Sequence, residues 1–312
     1  MNAKSLKATV VRTLGKLRID VARRNSLHLE LQYRRPGSVQ LGRPTMGGAL
    51  SNMASIGYRP ATVFDIGAAT GTAALYAPFP RAHHVLVEPL VECEPRLRAV
   101  AAKLQRADLF IGTAGAFRGT VTLNVHPDPT GSSLLVETEG GQVNGVPRAV
   151  QQETLDGLAV RFDTAPPYFI KLDTQGSELD VLRGAEETVL PRTTGILVES
   201  SLFAFFAGGP LIQDVIEYLT PHGFVLYDVV DLQYRPLDGA MSQLDLLFVR
   251  DSEELRRHHH FASPQQRLTA SARQTKRFRR AARRSPATPH QETAVVTPVT
   301  AAATTPTGLD SA

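Results

Sequence analysis

The sequence predicts an α/β fold, a mostly parallel sheet covered by helices on both faces, on three observations. Short apolar, β-rich runs recur at 62–66, 84–88, 109–111, 168–173, 195–199, 224–227 and 244–249. Helix-like segments at 93–104, 177–190 and 211–222 lie between them, each able to cross over between parallel strands. The chain of 312 residues is 42% hydrophobic and 21% charged, the profile of a folded protein with a sizeable core.

The elements follow in order. Residues 1–36 carry nine Lys/Arg and two acids, with Leu6, Val10, Leu14, Leu17 and Val21 at helical spacing, which predicts a basic N-terminal extension whose helix packs on the domain. An interfacial amphipathic helix is the less favoured reading of the same residues. Residues 37–250 form the domain and hold 15 basic and 23 acidic residues, so the folded part is acidic although the whole chain is +4. Its first strand, 62–66, runs into a glycine-containing loop and a helix start at 72–76. The segment 119–162 breaks the strand-helix rhythm and is expected as a small antiparallel insertion with its own turns. In the helix predicted over 177–190, Leu179, Leu182, Ala185 and Val189 share one face and Pro191 stops it. Residues 251–312 hold ten Lys/Arg and five acids, a His258-His259-His260 run, an Arg-rich stretch at 273–284 and a Thr/Ala/Pro end. So few large apolar residues predict a disordered tail.

Several classes drop out. One cysteine, Cys93, forms no internal disulfide and no cysteine-based zinc cluster, which fits a reducing cytoplasm. No run of about 18 uncharged apolar residues occurs, since Glu199 and Gly208-Gly209-Pro210 interrupt the best stretch. Arg12, Lys16 and Arg18 break up any secretory h-region.

Three features carry candidate chemistry. In Val63-Phe64-Asp65-Ile66-Gly67-Ala68-Ala69-Thr70-Gly71 a strand ends in an acid and opens a glycine loop at the carboxyl edge, where an open α/β sheet binds its ligand. The dinucleotide pattern G-x-G-x-x-G is absent. The next strand ends at Glu88, 23 residues after Asp65, where nucleotide-binding sheets place an acid that grips ribose hydroxyls. The stretch Ile170-Lys171-Leu172-Asp173-Thr174-Gln175-Gly176-Ser177-Glu178 delivers Lys171 and Asp173 to one side of a strand and opens into a helix. A helix start explains Glu178 and Asp180. It does not explain Lys171, whose charge would lie inside a covered sheet unless it has a partner or a ligand.

At these residues, with Thr154-Leu155-Asp156, Leu182-Arg183-Gly184-Ala185 and Asp245-Leu246-Leu247-Phe248, the chain resembles the FkbM family of S-adenosylmethionine-dependent methyltransferases over roughly 55–250. The resemblance implies a class I methyltransferase (Rossmann-like) fold with seven strands, the last antiparallel. It also implies S-adenosyl-L-methionine as methyl donor and a hydroxyl of a sugar, glycan or other natural-product intermediate as acceptor. By position, Asp65, Gly67, Ala68 and Gly71 would surround the methionine portion of the donor and Glu88 its ribose. Gly112, Thr113 and Ala114 would lie beside the adenine, and Lys171 and Asp173 would face the reacting centre. Two positions depart from the family: Ala69 stands where Asn is common, and Gly115-Ala116 where many members have Asp.

For proton removal from the acceptor, Asp173 is the expected base with Lys171 orienting it, and His126 in the insertion is the second candidate. Some sugar methyltransferases use a divalent ion; no adjacent pair of acids with an amide specifies one here. Two rival functions are a nicotinamide-dependent oxidoreductase on a related sheet and an anionic-polymer binder acting through the 273–284 run. That run has a single aromatic, Phe278, so no specific nucleic-acid partner is expected. Acceptor specificity is expected from 119–162, 37–58 and the 203–210 loop with Phe203, Phe205 and Phe206.

Overall fold

The computed structural model describes residues 44–140 and 143–282, together with the backbone of two strands, β1 (Ile19–Arg23) and β2 (Leu29–Tyr33). The chain divides into two compact units, Met1–His258 and His259–Ala312. β1 and β2 pair antiparallel, Ile19 opposite Tyr33. Val21 therefore belongs to a strand, not to the expected N-terminal helix; the rest of that helix lies outside the described residues.

The seven apolar runs form one seven-stranded sheet: β3 (Thr62–Ile66), β4 (His83–Glu88), β5 (Arg106–Ile111), β9 (Tyr168–Leu172), β10 (Thr193–Ser201), β11 (Phe224–Tyr234) and β12 (Met241–Arg250), in the order β11-β12-β10-β9-β3-β4-β5. β12, the last strand, runs antiparallel to the other six, which are parallel to one another. Strand alternation divides the core in two. Phe64, Ile66, Ile170, Leu172 and Val198 face one side, against α4 (Leu155–Arg161), α5 (Glu178–Arg183) and α6 (Ile212–Leu219). Val63, Leu86, Phe169, Leu197 and Leu247 face the other, against α1 (Met46–Ser55), α2 (Ala73–Tyr76) and α3 (Glu94–Ala101).

Between β5 and β9 the chain builds a second, three-stranded sheet. β7 (Gly119–Val125) pairs antiparallel with β8 (Val146–Glu153), and β6 (Thr113–Ala114) adds a short parallel edge. Within the insertion, residues 131–136 contribute only an isolated bridge from Ser133 to Asn124. Its polar groups go elsewhere: the Ser133 hydroxyl donates to the Gln175 carbonyl at 2.6 Å, and Ala207 N–H donates to the Val136 carbonyl at 2.8 Å. The insertion thus straps itself to the β9 loop and to the 203–210 loop.

The helix after β9 is shorter than its periodicity predicts. It ends at Arg183, with Gly184 at the C-cap, where a Cβ would lie 2.1 Å from the Gly115 carbonyl oxygen. The Asp156 carboxylate then accepts the N–H groups of Glu187, Thr188 and Val189 at 2.7–3.1 Å. A side chain has replaced the next helical turn while Leu182, Ala185 and Val189 keep the buried face that the spacing anticipated.

In the second unit the expectation of a disordered tail fails over Pro264–Ala282, which form helix α7. Ala, Gln, Arg and Lys are good helix formers, and no Gly or Pro interrupts them after Pro264. The residues after 282 lie outside the described ones.

Candidate active site

The chain leaves β3 toward β4 and leaves β9 toward β10, so connections diverge on either side of the β3/β9 boundary. That boundary is the topological switch point, and a crevice opens there at the carboxyl ends of the strands. The crevice is a cleft of about 840 Å³ walled by the β3 loop, the end of β4, β6, the insertion, the β9 loop and the far ends of β10, β11 and β12.

Its floor is set by a buried charge group. Asp65 and Lys171 are register partners on adjacent strands, on the face covered by α2. The Lys171 ammonium donates to the Gly67 carbonyl at 2.8 Å and lies 3.2 Å from Asp173 Oδ2 and 3.5 Å from Asp65 Oδ1. The Tyr76 hydroxyl donates to Asp65 Oδ2 and accepts from Thr72 N–H at 2.9 Å. Burial alone would depress the Lys171 pKa, but the carboxylates of Asp173 and Asp65 outweigh it and hold the ammonium above its ordinary range. The unexplained cation of the sequence thus has its partners within the protein.

The β3 loop and β9 loop touch through Gly67. Its φ is +75°, and a Cβ there would lie 1.8 Å from the Asp173 carbonyl oxygen, so only glycine lets the two loops meet. Across the loop, Glu88 binds both sides of the cleft mouth: Oε2 accepts Ala69 N–H at 2.7 Å and Oε1 accepts Leu90 N–H at 3.0 Å. Burial raises its pKa, and the two backbone donors partly offset that. Each carboxylate oxygen has two lone pairs, so both keep capacity for a ligand hydroxyl. Ala69 adopts φ 45°, a left-handed conformation that Asn tolerates better than Ala.

Gly67, Glu88, Thr113, Ala114, His126 and Asp173 line the cleft. Asp65, Ala68, Gly71 and Lys171 do not. Asp65 is fully buried behind the loop, and Ala68 is buried with its N–H on the Val87 carbonyl at 3.1 Å. Gly71 closes the turn, its N–H donating to the Ala68 carbonyl at 2.7 Å. These four residues shape the wall rather than form its surface. His126 stands on the insertion side, with Nδ1 held 3.0 Å from the Asp128 N–H.

The β9 loop is folded by Glu178, whose Oε1 accepts from Thr174 N–H, Thr174 Oγ1 and Gly176 N–H at 3.0–3.1 Å. Burial raises the Glu178 pKa, and those donors oppose the rise. The loop aims Gln175 inward, where Nε2 donates to Asp173 Oδ1 at 3.1 Å and to Glu199 Oε2 at 2.8 Å.

Glu199 is the residue that sequence reasoning missed. It lines the same cleft and accepts two further amide donors, Gln233 Nε2 at 3.1 Å and Gln243 Nε2 at 3.3 Å. Burial, then the charges of Asp173, Asp245 and Glu178, push its pKa up to about 9 against the opposing Lys171. Asp245, its register partner on β12, is pushed up to about 7 by burial and by Asp231 and Asp173. Among the described residues, no group of three or more His, Cys, Asp or Glu is arranged to hold a metal ion.

The fold and cleft define a class I methyltransferase-like protein. Residues 65–226 match the Methyltransferase FkbM domain, and the chain belongs to that family. The chain matches no curated protein. Among solved structures it is similar to a precorrin-6y C5,15-methyltransferase from Geobacter metallireducens GS-15, at 13% identity and TM-score 0.35, covering 64% of this chain and 86% of that one. It is similar to the N-methyltransferase NodS from Bradyrhizobium japonicum WM9, at 11% identity and TM-score 0.37, covering 65% and 93%. A third is the magnesium protoporphyrin IX methyltransferase of Synechocystis PCC 6803, solved with SAM bound, at 10% identity and TM-score 0.34, covering 66% and 77%. Likenesses this distant carry no weight; the family match and the chain's own sheet do. No described helix is long and apolar enough to cross a membrane.

Proposed function

We propose that this methyltransferase moves a methyl group from S-adenosyl-L-methionine to a hydroxyl of a sugar, glycan or other natural-product intermediate. The observation that carries the reading is that the family match and the switch-point cleft coincide, with Glu88 at the end of β4 and Asp173 in the loop after β9 lining the same opening. The residues present fit the donor. Glu88 keeps free acceptor capacity for ribose hydroxyls, Thr113 and Ala114 offer a wall for the adenine, and carboxylates outnumber cations on a lining that suits a sulfonium.

When bound, the donor supplies an electrophilic methyl for in-line displacement. The protein's share is alignment and proton handling. Asp173, fixed by Lys171 on one oxygen and Gln175 on the other, is suited to orient the acceptor hydroxyl. The 203–210 loop lies outside the lining of this cleft and is fixed by other contacts: Thr138 N–H donates to the Phe205 carbonyl at 2.8 Å, and the Arg235 guanidinium stacks 3.7 Å from the centre of the Phe203 ring. A cytoplasmic setting is part of the proposal, on the single buried cysteine.

Methyl-labelled donor, incubated with the protein and a polyol and glycan extract, is expected to yield label in an alkali-stable methyl ether. Label found only on nitrogen, or only as an alkali-labile ester, would overturn the hydroxyl assignment.

A further inference from the structure

Glu199 lies half-buried in the cleft wall, and every donor that reaches it is a neutral amide. Oε2 accepts from Gln175 Nε2 at 2.8 Å and from Gln243 Nε2 at 3.3 Å, and Oε1 accepts from Gln233 Nε2 at 3.1 Å. Both oxygens therefore act as acceptors, the pattern of an ionised carboxylate. A protonated carboxyl would need an acceptor for its proton, and three N–H groups supply none.

The protein gives that charge no cation of its own. Among the described residues, no Lys or Arg forms an ion pair with Glu199. The Lys171 ammonium is committed to the Gly67 carbonyl, Asp173 and Asp65. Arg96, the one Lys or Arg among the described lining residues, stands on α3, which packs on β4 and β5. The other charged groups acting on Glu199 are Asp173, Asp245 and Glu178, all acids, and their negative charge is also what raises its affinity for protons. This end of the cleft is short of positive charge. Gln175 Nε2 donates to Asp173 Oδ1 as well, at 3.1 Å, so Glu199 and Asp173 share one amide nitrogen. Asp173 is the residue assigned to the reacting centre, and the sulfur that carries the methyl group must come to the same place.

We propose that Glu199 is the countercharge for the donor's sulfonium and makes the cleft prefer the charged donor to its neutral product. The inference rests on the donor assignment above. Glu88 holds the ribose, which the reaction leaves unchanged, whereas Glu199 acts on the atom whose charge the reaction removes. After transfer the sulfur is a neutral thioether and the attraction to Glu199 is gone, which favours release of S-adenosylhomocysteine. At an effective dielectric near 20, a unit positive charge within about 10 Å of a carboxylate is favoured over a neutral group by about tenfold or more.

The test is calorimetric titration of the full chain with three ligands that share adenine and ribose. They are S-adenosylmethionine, S-adenosylhomocysteine, and sinefungin, which carries a protonated amine in place of the sulfonium. Wild type is expected to bind both cationic ligands more tightly than S-adenosylhomocysteine. Glu199→Gln keeps the side-chain size and removes the charge; it is expected to weaken both cationic ligands by about tenfold or more and to leave S-adenosylhomocysteine within about twofold. Glu88→Ala is the comparison and is expected to weaken all three alike. Equal weakening of all three in Glu199→Gln, or no change in any, would overturn the proposal. Weakening of S-adenosylmethionine alone would tie Glu199 to the methyl group rather than to charge and would overturn it too. Failure of all three to bind wild type would overturn the donor assignment instead. Should Glu199→Gln not fold, the wild-type affinities decide: S-adenosylhomocysteine binding as tightly as the cationic ligands would contradict the proposal.

Discussion

Lys171→Met is expected to lower the free energy of unfolding by about 3–5 kcal/mol, the cost of leaving a buried carboxylate without its cation. Lys171 is 3% exposed and Asp65 fully buried, so water cannot take over the lost interaction. Asp65 would keep only the Tyr76 hydroxyl, and the Gly67 carbonyl would lose its ammonium donor. Urea denaturation with an unchanged m-value would measure the loss. Adding Asp65→Asn to Lys171→Met is expected to recover part of it, because the uncompensated charge goes too. A Lys171→Met loss under about 1 kcal/mol would mean that the ion group does not support the fold in the way the geometry indicates.

Gly67→Ala is the second large effect. A side chain at φ +75° costs about 1–2 kcal/mol by itself. Its Cβ would meet the Asp173 carbonyl oxygen at 1.8 Å, and relieving that overlap by moving backbone costs about 1–3 kcal/mol more. The β3 and β9 loops must separate, so binding of S-adenosylhomocysteine is expected to fall together with stability. Gly71→Ala is the control. Its φ is +101°, but the nearest atoms are the Val100 methyl groups at 3.1 and 3.3 Å, which can rotate away. Its cost is expected to stay near the conformational part, about 1–2 kcal/mol, with the cleft intact. Comparable loss of ligand binding in both variants would count against a specific role for the loop contact.

Much of this arrangement was legible in the sequence because each strand is a compact apolar run. All seven runs became strands of one sheet: 62–66 kept its bounds, 168–173 gave up Asp173 to the following loop, and the others grew, 224–227 as far as Tyr234. Lys171 announced itself as a charge in a covered strand, and its partners proved to be the two acids already singled out, Asp65 and Asp173. Glu199 gave no such signal. It ends an apolar run as an ordinary strand-end acid would, and its glutamines come from three distant stretches. Antiparallel pairing of β12 with β10 and β11 brings Gln243 and Gln233 to it, and tertiary pairing of that kind leaves no local pattern. The early end of α5 was hidden for the same reason, since the Asp156 carboxylate that replaces its last turn lies about 30 residues away in sequence. Within the tail Pro264–Ala282 depart from the expectation. Polarity argued for disorder, while helix propensity in Ala, Arg, Gln and Lys supports α7.

The central claim is that the switch-point cleft binds an adenosyl methyl donor through Glu88. Isothermal titration of the purified chain with S-adenosylhomocysteine, with NAD as the competing ligand class, tests it most directly. The account predicts a single site for S-adenosylhomocysteine, no binding of NAD, and at least about tenfold weaker binding of S-adenosylhomocysteine in Glu88→Ala, as expected for loss of charge-assisted hydrogen bonds. Binding of NAD in place of S-adenosylhomocysteine, or equal affinity in Glu88→Ala, would contradict it.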